Sequence, residues 1–230
     1  MRSAPPGCFS LLVLGLVLLV PFVLANAVLA ALGKLGLSPT SSLLVALGIF
    51  GGSLVNIPVT RVEHETLVEY LPNQLLGLGR LLSQPIRQQT YTVIAVNVGG
   101  CLVPTALAGY QVTRLALNAP SVLPAAGLAI AINIGLCYYF ATPVPGRGIT
   151  MPAFVPALAA ALCGLVLAPT WAPPVAFAAG VLGPVIGADF LHLDDIADIG
   201  TGMASIGGAG TFDGIVLSGL VATLLVPGAL

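Results

Sequence analysis

Two aspartates set among apolar residues are the groups of this chain best placed to do chemistry. Asp189 stands in GPVIGADFLHLDD and Asp213 in SIGGAGTFDGIVLSGL. An ionisable group in apolar surroundings is costly unless it faces a cavity or a partner. A carboxylate so placed accepts a proton, binds a cation, or acts as an acid or base in catalysis. For Asp213 the plain alternative is a helix cap that satisfies free N–H groups. Capping does not explain Asp189, which falls near the end of its apolar run, where the helix dipole is negative. One aspartate is late in its run and the other is early in the next, so both belong at the same end and could face each other. His192 follows Asp189 by three residues and shares its helical face. Aspartate and histidine together can hold a divalent metal. The spacing fits no strong metal motif, however, and Asp194, Asp195 and Asp198 read as a solvated acidic loop, so no metal site is assigned.

Three asparagines form the second group. Asn56, Asn97 and Asn133 stand in SLVNIPVT, IAVNVGGCLVP and IAINIGLCYYF, each inside an apolar run. Asparagine both donates and accepts, so it can bond between helices or repair a broken backbone. Pro58 and Pro104 follow two of them, and a proline inside a helix frees a carbonyl and bends the axis. Broken helices beside polar groups are one way to build a binding site at mid-depth. The alternative for each asparagine is interhelical glue. The V/I-N-V/I pattern hints at an internal repeat without establishing one.

The elements that must position these residues follow from composition. The chain has 230 residues, 57% hydrophobic and 7% charged, with seven Lys plus Arg and eight Asp plus Glu. A soluble domain carries about 25% charged residues, which excludes that class. A net charge of −1 excludes a basic nucleic-acid surface. The expectation is therefore an all-α, polytopic membrane bundle forming one domain over residues 1–230. Its segments should be broken often, given Gly 28 and Pro 19.

A membrane-crossing helix needs about 20 mostly apolar residues. Seven runs approach this: Phe9–Leu32, Ser41–Thr60, Tyr91–Val112, Val122–Ala141, Ile149–Ala168, Pro173–Leu193 and Thr211–Val226. They lack the alternation of a lipid-facing barrel strand. The first run is also readable as a signal peptide, with Arg2 before it and Ala25-Asn26-Ala27 as a cleavage site. Its apolar character continues to Leu32, which favours a retained helix. Arg61, Arg80, Arg87 and Arg147 fall on the side of Arg2, and Lys34 and Arg114 on the other, which predicts a cytoplasmic N-terminus. The polar stretch 61–90 reads as a loop or interfacial insertion. Leu75, Leu76, Leu78, Leu81 and Leu82 would either lie on the membrane surface or cap the bundle.

The segment TPVPGRGITMPAFVPAL predicts a rigid turn feeding a fifth helix bent at Pro152 and Pro156, with a plain connector as the alternative. The pairs Gly48/Gly52, Gly183/Gly187 and Gly210/Gly214 permit tight helix packing. Cys8, Cys101, Cys137 and Cys163 are scattered without a CxxC and read as packing thiols. The chain has no phosphate loop, dinucleotide fingerprint, HExxH or nucleophile elbow. No cofactor is expected.

The blocks VNIPVT, VNVGGCLVP, PVPGRGITMPAFVPAL, IGADFLHL and SIGGAGTFDGIVLSG together resemble the prokaryotic membrane proteins called domain of unknown function 1614. The resemblance runs from about the second apolar run to the C-terminus. It implies a bacterial or archaeal multi-pass protein of the plasma membrane and supplies no activity. A looser similarity is to intramembrane aspartyl proteases of the presenilin and signal-peptide-peptidase type. Phe212-Asp213 is similar to their YD, Gly187-Ala188-Asp189 to part of their GxGD, and Pro156-Ala157-Leu158 to their PAL. The order along the chain differs, and Ala188 replaces a glycine.

Three functions are compatible with these residues. The leading expectation is an ion- or proton-coupled transporter, with Asp189, Asp213, Asn56, Asn97, Asn133 and His192 lining a polar site. The alternative is an intramembrane aspartyl protease with Asp189 and Asp213 as its catalytic pair. A non-catalytic membrane scaffold is the third. The expected partners are membrane lipid and a small solute, proton or cation, with homo-oligomerisation left open.

Overall fold

A computed structural model describes residues 6–69, 85–144, 148–152, 154–195, 202–208 and 213–228. Seven α-helices form the body: α1 (Pro6–Lys34), α2 (Pro39–Gly52), α3 (Val103–Asn118), α4 (Leu123–Phe140), α5 (Val155–Leu167), α6 (Ala172–Leu182) and α7 (Gly214–Leu225). Five strands accompany them: β1 (Asn56–Glu69), β2 (Pro85–Asn97), β3 (Thr142–Val144), β4 (Gly148–Thr150) and β5 (Met203–Ile206). Short turns join α1 to α2, α3 to α4 and α5 to α6. Strands intervene between α2 and α3, between α4 and α5, and before α7. The molecule thus has a turn end and a strand end.

The turns share one device. Ser38-Pro39, Ala119-Pro120 and Ala168-Pro169 each place a proline at the first position after the corner, where its fixed φ suits a helix start and its missing N–H is not needed. Ala119 (φ −148, ψ 62) and Ala168 (φ −147, ψ 62) have almost the same backbone, and each leads into a one-turn 3₁₀ segment before the next helix. The α3–α4 and α5–α6 hairpins are therefore near copies at their corners. Lys34 Nζ, at the end of α1, donates to Leu224 O and Val226 O, both at 2.8 Å, and closes the last turn of α7. Arg114 and Gln111 both donate to Leu35 O.

At the other end β1 and β2 form an antiparallel pair from Asn56↔Asn97 to Glu69↔Pro85. β5 joins the far side of β2 in parallel, with Ala95↔Ser205 and Val96↔Ile206 in register. β3 and β4 form a separate small hairpin. One face of the larger sheet packs on the bundle through Ile94 and Ile206, which belong to the same core as Leu107, Phe177 and Val181.

These strands correct the all-α expectation. The ends of the second and third apolar runs, Asn56–Thr60 and Tyr91–Asn97, are strand and not helix. Mean apolar character cannot separate the two. The β-branched runs Ile57, Val59, Thr60 and Thr92, Val93, Ile94 favour the pleated form. Pro58 is tolerated because β1 is an edge, and the register shifts there. The stretch expected as a polar loop, 61–90, is strand on both flanks. The leucines at 75, 76, 78, 81 and 82 lie outside the described residues.

The count of seven crossing helices is also corrected. Among the described residues two helical stretches are long and apolar enough to cross a membrane, Pro120–Phe140 (21 residues) and Pro169–His192 (24 residues). The second, third and fifth apolar runs yield shorter helices because part of each is spent on strand. The fifth helix is not bent by its prolines: Pro152 precedes α5 and Pro156 occupies its first turn. This is the plain connector.

The core is built from small residues. Every residue from Ala172 to Val181 is buried. A Cβ at Gly164 would lie 2.9 Å from Ala172 O, and one at Gly180 would lie 2.8 Å from Ser218 O. Backbones therefore touch backbones where α6 meets α5 and α7, and almost no volume is left between them.

Candidate functional site

Two helices change their winding as they approach the strand end. Val98–Leu102 and Gly183–Asp189 are both π segments. A π turn widens the helix, re-aims its side chains, and recurs at functional sites. The second has a local cause. Pro184 has no N–H, so the carbonyl four residues back, Gly180 O, loses its donor. Ser218 Oγ from α7 donates to Gly180 O instead. Asn133 of α4, fully buried, donates from Nδ2 to Ala179 O at 2.7 Å. Gly183 and Gly187 let α4 come close, since a Cβ at Gly187 would lie 2.9 Å from Cys137 Cβ. The Gly183/Gly187 pair thus seats the π segment on α4, as small-residue spacing implied.

Asp189 is the last residue of that segment and is half-buried. Among the described residues no hydrogen bond reaches its carboxylate. Asp213 is the N-cap of α7, and its Oδ1 accepts the Ile215 N–H at 2.9 Å. Asp213 therefore does cap α7, and capping does not account for Asp189. The two carboxylates are near enough for their charges to act on one another. Both also act on Cys101, in the first π segment, and Asp189 acts on Cys137 of α4. The structure places the two aspartates within reach of each other's charge, with Cys101 and Cys137 in the same region.

The asparagines divide. Asn97 is buried and joins several chain segments. Its Nδ2 donates to Ser53 O at 2.8 Å and to Asn56 Oδ1 at 3.0 Å. Its Oδ1 accepts Gly100 N–H at 2.7 Å and so caps the first π segment. Asn56 is exposed at the start of β1 and not inside a span, and its Oδ1 also accepts Ser205 Oγ at 2.6 Å. Asn133 lies apart from this pair, on α4. Its Oδ1 is buried and has no partner among the described residues. One mid-depth set of three asparagines is therefore not what the chain builds.

His192 does not join the carboxylates in a metal cluster. It sits in the 3₁₀ turn after Asp189, with Nδ1 at 3.1 Å from Gly187 O and its ring 4.8 Å from that of Tyr138. Its ring is held by its own helix and by α4. No group of three or more His, Cys, Asp or Glu able to hold a metal occurs among the described residues. Asp194 is exposed and Asp195 half-buried, while Asp198 lies outside the described residues.

Ser205, Ser218 and Tyr138 do not stand out in the sequence, and Cys101 reads there only as a packing thiol. For Ser218 a signal existed: Pro184 frees a carbonyl, and a hydroxyl on the facing helix is its natural donor. Ser205 could not be found that way, because its contact spans 149 positions.

The sequence blocks VNIPVT, VNVGGCLVP, IGADFLHL and SIGGAGTFDG all fall within one stretch, residues 50–225. Residues 50–225 match the family described as protein of unknown function DUF1614. The chain belongs to that family. The match begins at the end of α2 and covers the whole site. No curated protein and no solved structure matches the chain.

Proposed function

We propose that this member of the family is an integral membrane protein whose Asp189 and Asp213 form an acid–base pair that hydrolyses a peptide bond at the membrane. The observation that carries this reading is the pair: two carboxylates from consecutive segments, within reach of each other's charge. One of them accepts a backbone N–H, and no hydrogen bond from a described residue reaches the other. Two carboxylates that share a site can act as a unit, one taking a proton from water while the other gives one to the leaving group. Here Asp213, oriented by Ile215 N–H, takes the proton of the attacking water. The water oxygen bonds to the scissile carbonyl carbon. Asp189 then gives its proton to the amide nitrogen as the carbon–nitrogen bond breaks.

Membrane placement is supported by the two long apolar helices and by what they bury. The stretch Pro120–Phe140 buries only 22% of its apolar window, against 72% for Pro169–His192. An apolar helix with most of its surface outward wants lipid or protein and not water. By the distribution of Arg and Lys, the strand end, with Arg61, faces the cytoplasm, and the turn end, with Lys34 and Arg114, faces outward. The plasma membrane of a prokaryote is the proposed location.

The test is cleavage of membrane-spanning peptides by the purified protein in lipid, read by mass spectrometry. Asp189→Asn and Asp213→Asn should each abolish it. Cleavage that survives in either variant removes the pair mechanism.

The second reading is a proton- or cation-coupled transporter, favoured by the buried, unpartnered Oδ1 of Asn133. It ranks lower because the turn half of α6 is packed backbone to backbone. Proton or sodium flux in proteoliposomes, lost in Asp189→Asn, would place it first.

A further inference from the structure

We infer that the strand end sits at the headgroup layer of a phospholipid bilayer, which puts Asp189 at the membrane surface and not at mid-depth. This inference rests on the membrane reading given above. The exposed surface of the bundle is layered. On α4 the exposed positions from Pro124 to Gly135 carry no polar side chain. On α5 Leu158, Leu162 and Val166 follow one another at helical spacing along one face, and each is exposed. At the strand end the exposed side chains become aromatic. Tyr138, Tyr139 and Phe140 close α4, Phe154 precedes α5, and Phe190 follows Asp189. Tyr139 is 76% exposed and Phe154 70%. Just beyond them the exposed groups are polar, with Thr142 and Thr150 on the small hairpin and Asp194 after Phe190.

Aliphatic, then aromatic, then polar is the order in which a bilayer passes from hydrocarbon to water. Tyrosine is favoured at that boundary because its ring is apolar and its hydroxyl needs a polar partner. The lengths agree. Pro120–Phe140, with 21 residues, is about 31 Å long at a rise of about 1.5 Å per residue, which matches the ~30 Å of a hydrocarbon core. The stretch Pro169–His192 likewise runs from a corner to the aromatic layer. Trp171 stands in that corner and would mark the opposite boundary. A protein partner demands no such grading across two helices. Asp189 precedes Phe190 in the chain and shares its depth. For the proposed hydrolysis this selects a peptide bond at the end of a membrane-spanning segment, level with the headgroups, over one in the middle of the span.

The test measures depth and needs no substrate. The chain has one tryptophan, Trp171, so each probe is a single new tryptophan in the full chain carrying Trp171→Phe. The protein is placed in vesicles of phosphatidylcholine brominated either near the headgroup or near the far end of the acyl chains. Tyr139→Trp and Phe190→Trp should each be quenched about twofold more by the shallow bromines than by the deep ones. Leu128→Trp, midway along α4, should show the reverse. All three positions are exposed, so the melting temperature should stay near that of the parent. Should all three be quenched best by the deep bromines, the chain is in the membrane but Asp189 lies at mid-depth, and the inference is wrong. Should Tyr139→Trp and Phe190→Trp escape both kinds of bromine while Leu128→Trp does not, water or a protein covers the aromatic layer, which also overturns it. Should Leu128→Trp escape quenching as well, the chain does not span the bilayer, and the membrane reading falls together with this inference.

Discussion

The two ends of the bundle treat their polar groups in opposite ways. At the turn end the cations are consumed by structure. Lys34 closes α7 and Arg114 closes α1, each donating to backbone carbonyls at a helix C-terminus, where the dipole favours positive charge. The side chains between are small, and Gly164 brings α5 onto Ala172 O. Ser42 Oγ is the exception, buried there with no partner among the described residues. At the strand end the helices unwind into π segments, and a half-buried carboxylate is left at the negative end of α6 with another carboxylate nearby. One end is arranged for rigidity. The other places an ionisable group where it does not stabilise the fold.

Breaking the rigid end should have the largest effect on stability. Gly164→Leu drives a side chain into Ala172 O and the Ala176 Cβ. It should cost about 3 kcal/mol, seen as a large fall in melting temperature in detergent or lipid. Lys34→Met removes two charged hydrogen bonds and should cost about 2 kcal/mol by the same measurement. Ser218→Ala leaves Gly180 O, freed by Pro184, without its donor and should cost about 1 to 2 kcal/mol.

The aspartates sharpen the contrast, because they should separate stability from activity. Asp213→Ala loses the cap on α7 and should cost about 1 kcal/mol, along with all activity. If the proposed pair is right, Asp189→Asn should lose activity while the melting temperature holds or rises, since no described donor is lost and an ionisable group at the wrong end of a helix dipole is removed. A large destabilisation by Asp189→Asn would show that the carboxylate is structural. The smallest effect belongs to His192→Phe. It keeps a ring against Tyr138 and gives up one hydrogen bond to Gly187 O, so stability should change by about 1 kcal/mol and activity should remain.

Much of this contrast is legible in the sequence, and the reasons for the rest are physical. The aspartates stand out because charge is scarce, and their opposite helix positions follow from where each falls in its run. The fourth and sixth apolar runs match the two long helices to within a few residues. The strands were hidden because Ile57, Val59, Val93 and Ile94 raise mean apolar character as much as helical leucines do. Asn56 was misplaced for the same reason. The local similarity lies in the corners, Ala119-Pro120 and Ala168-Pro169, which share one backbone geometry, and not in the V/I-N-V/I pattern. The second π segment follows from Pro184, whose freed carbonyl, Gly180 O, takes its donor from Ser218 on a helix distant in sequence. No local pattern contains that partner.

The central claim is that Asp189 and Asp213 act as one titrating unit. The most direct measurement is infrared difference spectroscopy of the carboxyl band in lipid, following Asp189 across pH with Asp213 intact and with Asp213→Asn. The account expects the Asp189 titration to move when its neighbour is replaced, and the Asp213 titration to move in Asp189→Asn. Identical curves in parent and variants would contradict it, leaving Asp213 as a helix cap and Asp189 as an isolated group.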